Sequence, residues 1–93
     1  MTTNSKVSVG TASTGVLANS LNRRVAVLVN DSDETIYISL GGSAVLNEGI
    51  RLNAAGGLYE INSTNMWKGS VSAISTSGTK NLSYSETTTE EEE

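Results

Sequence analysis

Asp31, Asp33 and Glu34, with Ser32 between them, form the one carboxylate cluster in the body of this 93-residue sequence. Calcium is the chemistry such a cluster invites, because hard cations collect oxygen ligands from short loops. An EF-hand loop beginning at Asp31 needs glycine at its sixth position and an acid at its twelfth. Ile36 and Gly42 stand there instead, so the cluster reads as a polar turn. Gly41-Gly42-Ser43 and Gly56-Gly57 are followed by no Lys-Ser/Thr pair and lie in no Gly-x-Gly-x-x-Gly frame, so they are turn glycines and not a phosphate cradle. With no Cys and no His, the chain has no thiolate, no imidazole base and no ordinary zinc set. A Ser–Lys dyad or a Glu48/Glu60 pair is available on paper, but no spacing demands either. Arg23-Arg24 is a single basic pair, and Tyr37, Tyr59, Trp67 and Tyr84 are the only rings for stacking, too little for a nucleic-acid surface. No catalytic, metal or cofactor-binding residue is assigned, and the reading is of a protein that is not an enzyme.

Trp67 remains. It sits in the polar stretch Asn65-Met66-Trp67-Lys68-Gly69. Two readings stay open for it: a core plug in a domain that has no Phe, or an aromatic at a partner interface, where Trp and Met are over-represented.

The elements that carry these residues repeat every two positions. Val7/Val9, Val25/Val27/Val29, Ile36/Ile38/Leu40, Ile50/Leu52, Leu58 to Ile61, Val71/Ala73 and Leu82/Tyr84 alternate with small polar residues or with each other. Short runs of this kind, punctuated by Gly, Asn, Asp and Ser, are strands. The fragment Thr14–Leu21 fits a strand or one turn of helix. The turn signals predict three hairpins: 23–30 with 34–40 across Asn30-Asp31-Ser32-Asp33, 49–52 with 58–62 across the Gly56-Gly57 turn, and 70–75 with 80–85 across Thr76-Ser77-Gly78-Thr79. Val27 and Ile38 are then buried partners in the first hairpin's sheet. With an N-terminal strand and one near 14–18, the expectation is an all-β, single-domain, small β-sandwich or flattened barrel of jelly-roll type with seven or eight short antiparallel strands.

Composition sets the limits. Hydrophobic residues make up 37% of the chain, and 14 Ser, 11 Thr and 9 Asn fill the remainder with small polar groups. The longest apolar run, Val25–Val29, is five residues, far short of a bilayer span, and Met1-Thr2-Thr3-Asn4 is no signal peptide. The net charge of −4 belongs to the C-terminal end: residues 1–85 hold six basic against five acidic side chains. The expected organisation is a sandwich domain over 1–86 with an N-terminal arm, and an acidic, solvated tail over 87–93.

The order of the pieces has a family look. Leu21-Asn22-Arg23-Arg24-Val25-Ala26-Val27-Leu28-Val29-Asn30 leads through a polar turn to Ile36-Tyr37-Ile38-Ser39-Leu40-Gly41. Gly49-Ile50-Arg51-Leu52, a Gly-Gly turn, Met66-Trp67-Lys68-Gly69-Ser70-Val71-Ser72-Ala73-Ile74 and Ser77-Gly78-Thr79 with Leu82 follow. Over about residues 5–86 this resembles the small β-sandwich virion proteins of tailed bacteriophages, of capsid decoration or cement type. The resemblance carries packing and turn motifs and no catalytic residue. It implies a structural protein that binds the major capsid protein on the outer surface of a phage head and stabilises it, located on the virion and in the host cytoplasm during assembly. It also implies a homo-oligomer, with a trimer in keeping with threefold capsid positions, and no nucleic-acid or membrane partner. The alternative is a tail, baseplate or fibre module that recognises host-surface glycan. The partner-interface residues expected are Lys6, Val7, Ser8 and Val9, in a strand-donating or clamping arm over Thr2–Val9, together with Met66 and Trp67. The poly-Glu end departs from the pattern.

Overall fold

In the computed structural model, which describes residues 1–89, the period-two alternation becomes eight strands, and the described residues contain no helix. They are β1 (Thr2–Val9), β2 (Thr14–Leu17), β3 (Arg23–Asn30), β4 (Ile36–Leu40), β5 (Ile50–Leu52), β6 (Leu58–Ile61), β7 (Val71–Ser75) and β8 (Lys80–Thr88). The ambiguous fragment at Thr14 is thus a strand, with a register shift between Gly15 and Leu17.

The strands form two four-stranded sheets, ordered β1-β8-β3-β6 and β2-β7-β4-β5, with every pairing antiparallel. The pairs nest: β4 with β5, β3 with β6, β2 with β7, β1 with β8. One long folded-back hairpin has been rolled up, which is the jelly-roll connection of a β-sandwich. Between the sheets lie fully buried Val9, Leu28, Ile38, Leu52, Ile61 and Leu82, one from each of six strands.

The three expected hairpins do not form. β3 and β4 lie in different sheets, as do β5 and β6, and β7 and β8. Their turns reverse the chain at a corner and hand it to the opposite sheet. At the first corner the reason is visible. Asn30 gives its N–H to Gly57 O and takes Gly56 N–H on its carbonyl, while Ser32 O accepts from Ala55 N. The β3–β4 corner is therefore bonded to the β5–β6 corner and not closed on itself.

The faces of β3 also differ from expectation. Ala26, Leu28 and Asn30 are fully buried, whereas Val25, Val27 and Val29 point outward and are half-buried. Ile38 is in the core, but Val27 is not its partner: it stands opposite Ser85 of β8 and Glu60 of β6.

Neither terminal expectation survives intact. Thr2–Val9 is no free arm: all eight residues pair with β8 of the same chain, from Thr2↔Thr87 to Val9↔Lys80. At the other end β8 continues through Thr88, and Thr89 donates its N–H and its Oγ1–H to Asn22 O. The expected tail thus begins as strand at Thr87 and Thr88, and residues 90–93 lie outside the described residues.

Candidate interaction surfaces

Arg23 is the most heavily bonded side chain of the interior. It is 1% exposed. Its Nε donates to Glu86 Oε2 at 2.7 Å, Nη1 to the carbonyls of Trp67 and Gly69 at 2.9 Å each, and Nη2 to Ala18 O at 2.8 Å. A planar fork with fixed donors suits this task, since each direction meets an oxygen that burial would otherwise leave unpaired. The guanidinium ties the β2–β3 connection, the Met66–Ser70 segment and β8 into one corner. Glu86, expected near the solvated end, is 19% exposed at its side chain and serves as the counter-ion.

Sequence reasoning took Arg23 only as half of a basic pair. In the structure Val25 faces outward, and strict alternation from it would turn Arg23 outward as well. The register with β8 shifts between those two residues, Arg23 facing Thr88 and Val25 facing Thr87. Such a bulge turns one side chain over to the other face, and no residue type announces it.

Trp67 packs at the margin of the core and is half-buried. Its indole N–H donates to Ser70 O at 2.9 Å, the same oxygen that accepts Gly41 N–H at 2.9 Å. The ring lies on Gly41 and Gly69: a Cβ at Gly69 would stand 2.6 Å from Cζ2, and one at Gly41 3.2 Å from it. A side chain at Gly69 would collide with the ring, whereas Gly41 is favoured both by this close contact and by its φ of 84°.

The acidic turn is also used internally. Asn30, buried, donates from Nδ2 to Glu34 O and Leu52 O at 2.7 and 2.9 Å, and its Oδ1 accepts from Ser32 Oγ. Asp33 takes the Lys80 ammonium at 2.8 Å, and Glu34 Oε1 accepts from Thr76 Oγ1 at 2.8 Å. The Lys80 hydrogen bond holds the Asp33 carboxyl below its ordinary 3.8, and the same contact raises Lys80 above 10.5. Among the described residues no group of three or more acidic, His or Cys side chains is placed to hold a metal ion.

The remaining candidates for contact are outward surfaces. On the outer face of the first sheet, Val27 and Val29 floor a hollow of about 290 Å³ with Ser83, Ser85 and Asn4, and Leu58, opposite Val29, is 59% exposed. A second hollow of about 550 Å³ lies between Arg24, Val25, Asn62, Met66 and Thr87–Thr89. Of the expected interface residues, Lys6 and Ser8 are exposed on β1, Val7 is half-buried and Val9 is fully buried, so Val9 is a core residue and offers no surface. Met66 lines the second hollow. Trp67 is held inward by the contacts above. The six residues therefore form no single patch. No protein family, curated protein or solved structure matches this chain.

Proposed function

We propose that the protein is a structural component of a tailed-bacteriophage virion, a decoration protein that binds the outer surface of the head and stabilises it. What supports this most is the fate of the chain's reactive groups. Arg23, Glu86, Asn30, Asp33 and Glu34 are all engaged in bonds that hold corners of the sandwich together. The outward faces carry mostly Ser, Thr and Asn with scattered charges such as Lys6, Arg24, Arg51 and Glu60, a surface suited to broad passive contact. The role is non-catalytic, the partner is the major capsid protein, and self-association adds contact to a small core.

One observation favours a second reading, a tail or fibre module for host-surface glycan. Tyr37 hydroxyl donates to Asn47 Oδ1, and Asn65 Nδ2 donates to Tyr59 hydroxyl, both at 3.1 Å in exposed positions. Aromatic rings beside amide groups are what sugar-binding surfaces use. Cryo-EM of virions that carry the protein distinguishes the two. Density on capsomers, at hundreds of copies, is expected for decoration. Density on the tail at a few to dozens of copies supports the glycan reading, and absence from the particle overturns both.

A further inference from the structure

Four strand edges face outward in a two-sheet sandwich, and here they are unequal. β6 has four residues, β5 three, and β2 four with a register shift inside it. Those are the short or irregular edges with which proteins avoid pairing. β1 is eight residues long, paired without a shift along its length and free of proline, and Lys6 is its only charge. It is the terminal strand of its sheet, and no described strand covers its other side.

Which backbone groups that edge offers follows from one reciprocal pair. Met1 donates its N-terminal ammonium to Thr88 O, and Thr88 N–H donates to Met1 O, both at 2.8 Å. Antiparallel ladders alternate between hydrogen-bonded and non-hydrogen-bonded pairs. Thr3, Ser5, Val7 and Val9 thus turn their N–H and C=O groups to β8, and Thr2, Asn4, Lys6 and Ser8 turn theirs outward.

We propose that two copies of the chain join through β1, edge to edge and antiparallel, about a twofold axis at Ser5. In that register Thr2 meets Ser8 of the second copy and Asn4 meets its Lys6, and each pair recurs by symmetry. All four outward-facing residues of each strand are then satisfied, by four reciprocal pairs of two main-chain bonds. Every alternative is poorer. Centring on Asn4 leaves Ser8 without a partner, and centring on Lys6 sets ammonium against ammonium, which destabilises a cross-strand pair. Thr3 of the second copy also comes to cover half-buried Val7. The result is one continuous eight-stranded sheet, and a twofold pair takes the place of the threefold assembly that the resemblance implies. The pairing is independent of what surface the protein binds.

The test uses the full chain. Sedimentation velocity from micromolar to millimolar concentration is expected to show a monomer–dimer equilibrium. Asn4→Lys places lysine against Lys6 twice and should weaken dimerisation by roughly tenfold, whereas Asn4→Asp should tighten it by a similar factor. The chain has no cysteine, so Ser5→Cys introduces a single thiol at the axis. Non-hydrogen-bonded partners there have Cα atoms about 4.5 Å apart, within disulfide reach. Mild oxidation should trap a covalent dimer at position 5 and not with Ser8→Cys. Circular dichroism of each variant verifies the fold. A chain that stays monomeric at millimolar concentration, a trimer, or equal effects of the two Asn4 substitutions overturns the proposal.

Discussion

Replacing Arg23 by methionine keeps an unbranched apolar stem of similar reach to Nε and removes every hydrogen bond the guanidinium makes. Glu86 is then left with its carboxylate largely shielded and unpaired, and the carbonyls of Ala18, Trp67 and Gly69 lose their shared donor. Removing one partner of a buried ion pair costs about 3–5 kcal/mol. A domain of this kind has about 5–15 kcal/mol in total, so the variant should be close to unfolding or well down the denaturation curve. Arg23→Lys should recover little, because one ammonium cannot serve oxygens on three separate segments. Glu86→Gln keeps an acceptor for Nε but leaves the buried guanidinium without its counter-charge, so it should also be strongly destabilising, by up to about 3–5 kcal/mol. Urea titration followed by fluorescence of Trp67, the single tryptophan, reads the corner directly, and far-UV circular dichroism reads the sheets. The two transitions should coincide with an unchanged slope. An Arg23→Met loss under about 1 kcal/mol, the level of an exposed pair, or full rescue by lysine, would refute the clamp.

Ile38→Ala should cost about 2–5 kcal/mol as a fully buried aliphatic, and Val27→Ala under about 1 kcal/mol as an outer-face residue; a reversed order in denaturant midpoints would invert the faces assigned here. Gly49→Ala should be strongly destabilising, because its φ is 85° and a Cβ would run into the Ile38 carbonyl oxygen; an unchanged melting temperature contradicts that geometry. The Asp33–Lys80 pair has a lowered acid and a raised base. Its stabilisation is present above the ordinary carboxylate value of 3.8 and is lost as pH falls through the lowered one. At the alkaline end it persists below 10.5 and is lost above that. An NMR titration should find the Asp33 midpoint below 3.8, returning toward it in Lys80→Met.

Most of the strand content was legible because burial on one face of a sheet imposes a period of two, which Val, Ile and Leu carry in β3 to β7. The polar stretches Thr2–Lys6 and Ser85–Thr88 extend β1 and β8 with no such signal. What stayed illegible was partnership. Asn30-Asp31-Ser32-Asp33 signals a reversal, but a reversal within one sheet and a corner between two use the same turn residues. Deciding between them requires the distant bonds to Ala55, Gly56 and Gly57. In β3 both faces are apolar, so hydropathy could not choose, and the fold buries Ala26 and Leu28 in preference to three valines. The side chains now placed at the corners were visible only as residue types. Arg23 looked like half of a basic pair and Glu86 like the start of a solvated end, and only a bulge in the ladder brings them together.

The nesting of the strand pairs has a consequence for how the chain reaches this state. Thr2 and Thr87 are 85 positions apart, and closing so large a loop in one event is entropically unfavourable and slow. Joining β4 to β5 first needs only a local reversal, and each closure brings the next pair of strands within reach. The fold can thus zip outward through β3–β6 and β2–β7, with no step as costly as the whole. β3, which holds the longest apolar run, waits during synthesis for two neighbours that are both made later. β1, made first, docks last, and its amides should exchange with solvent before those of any inner strand.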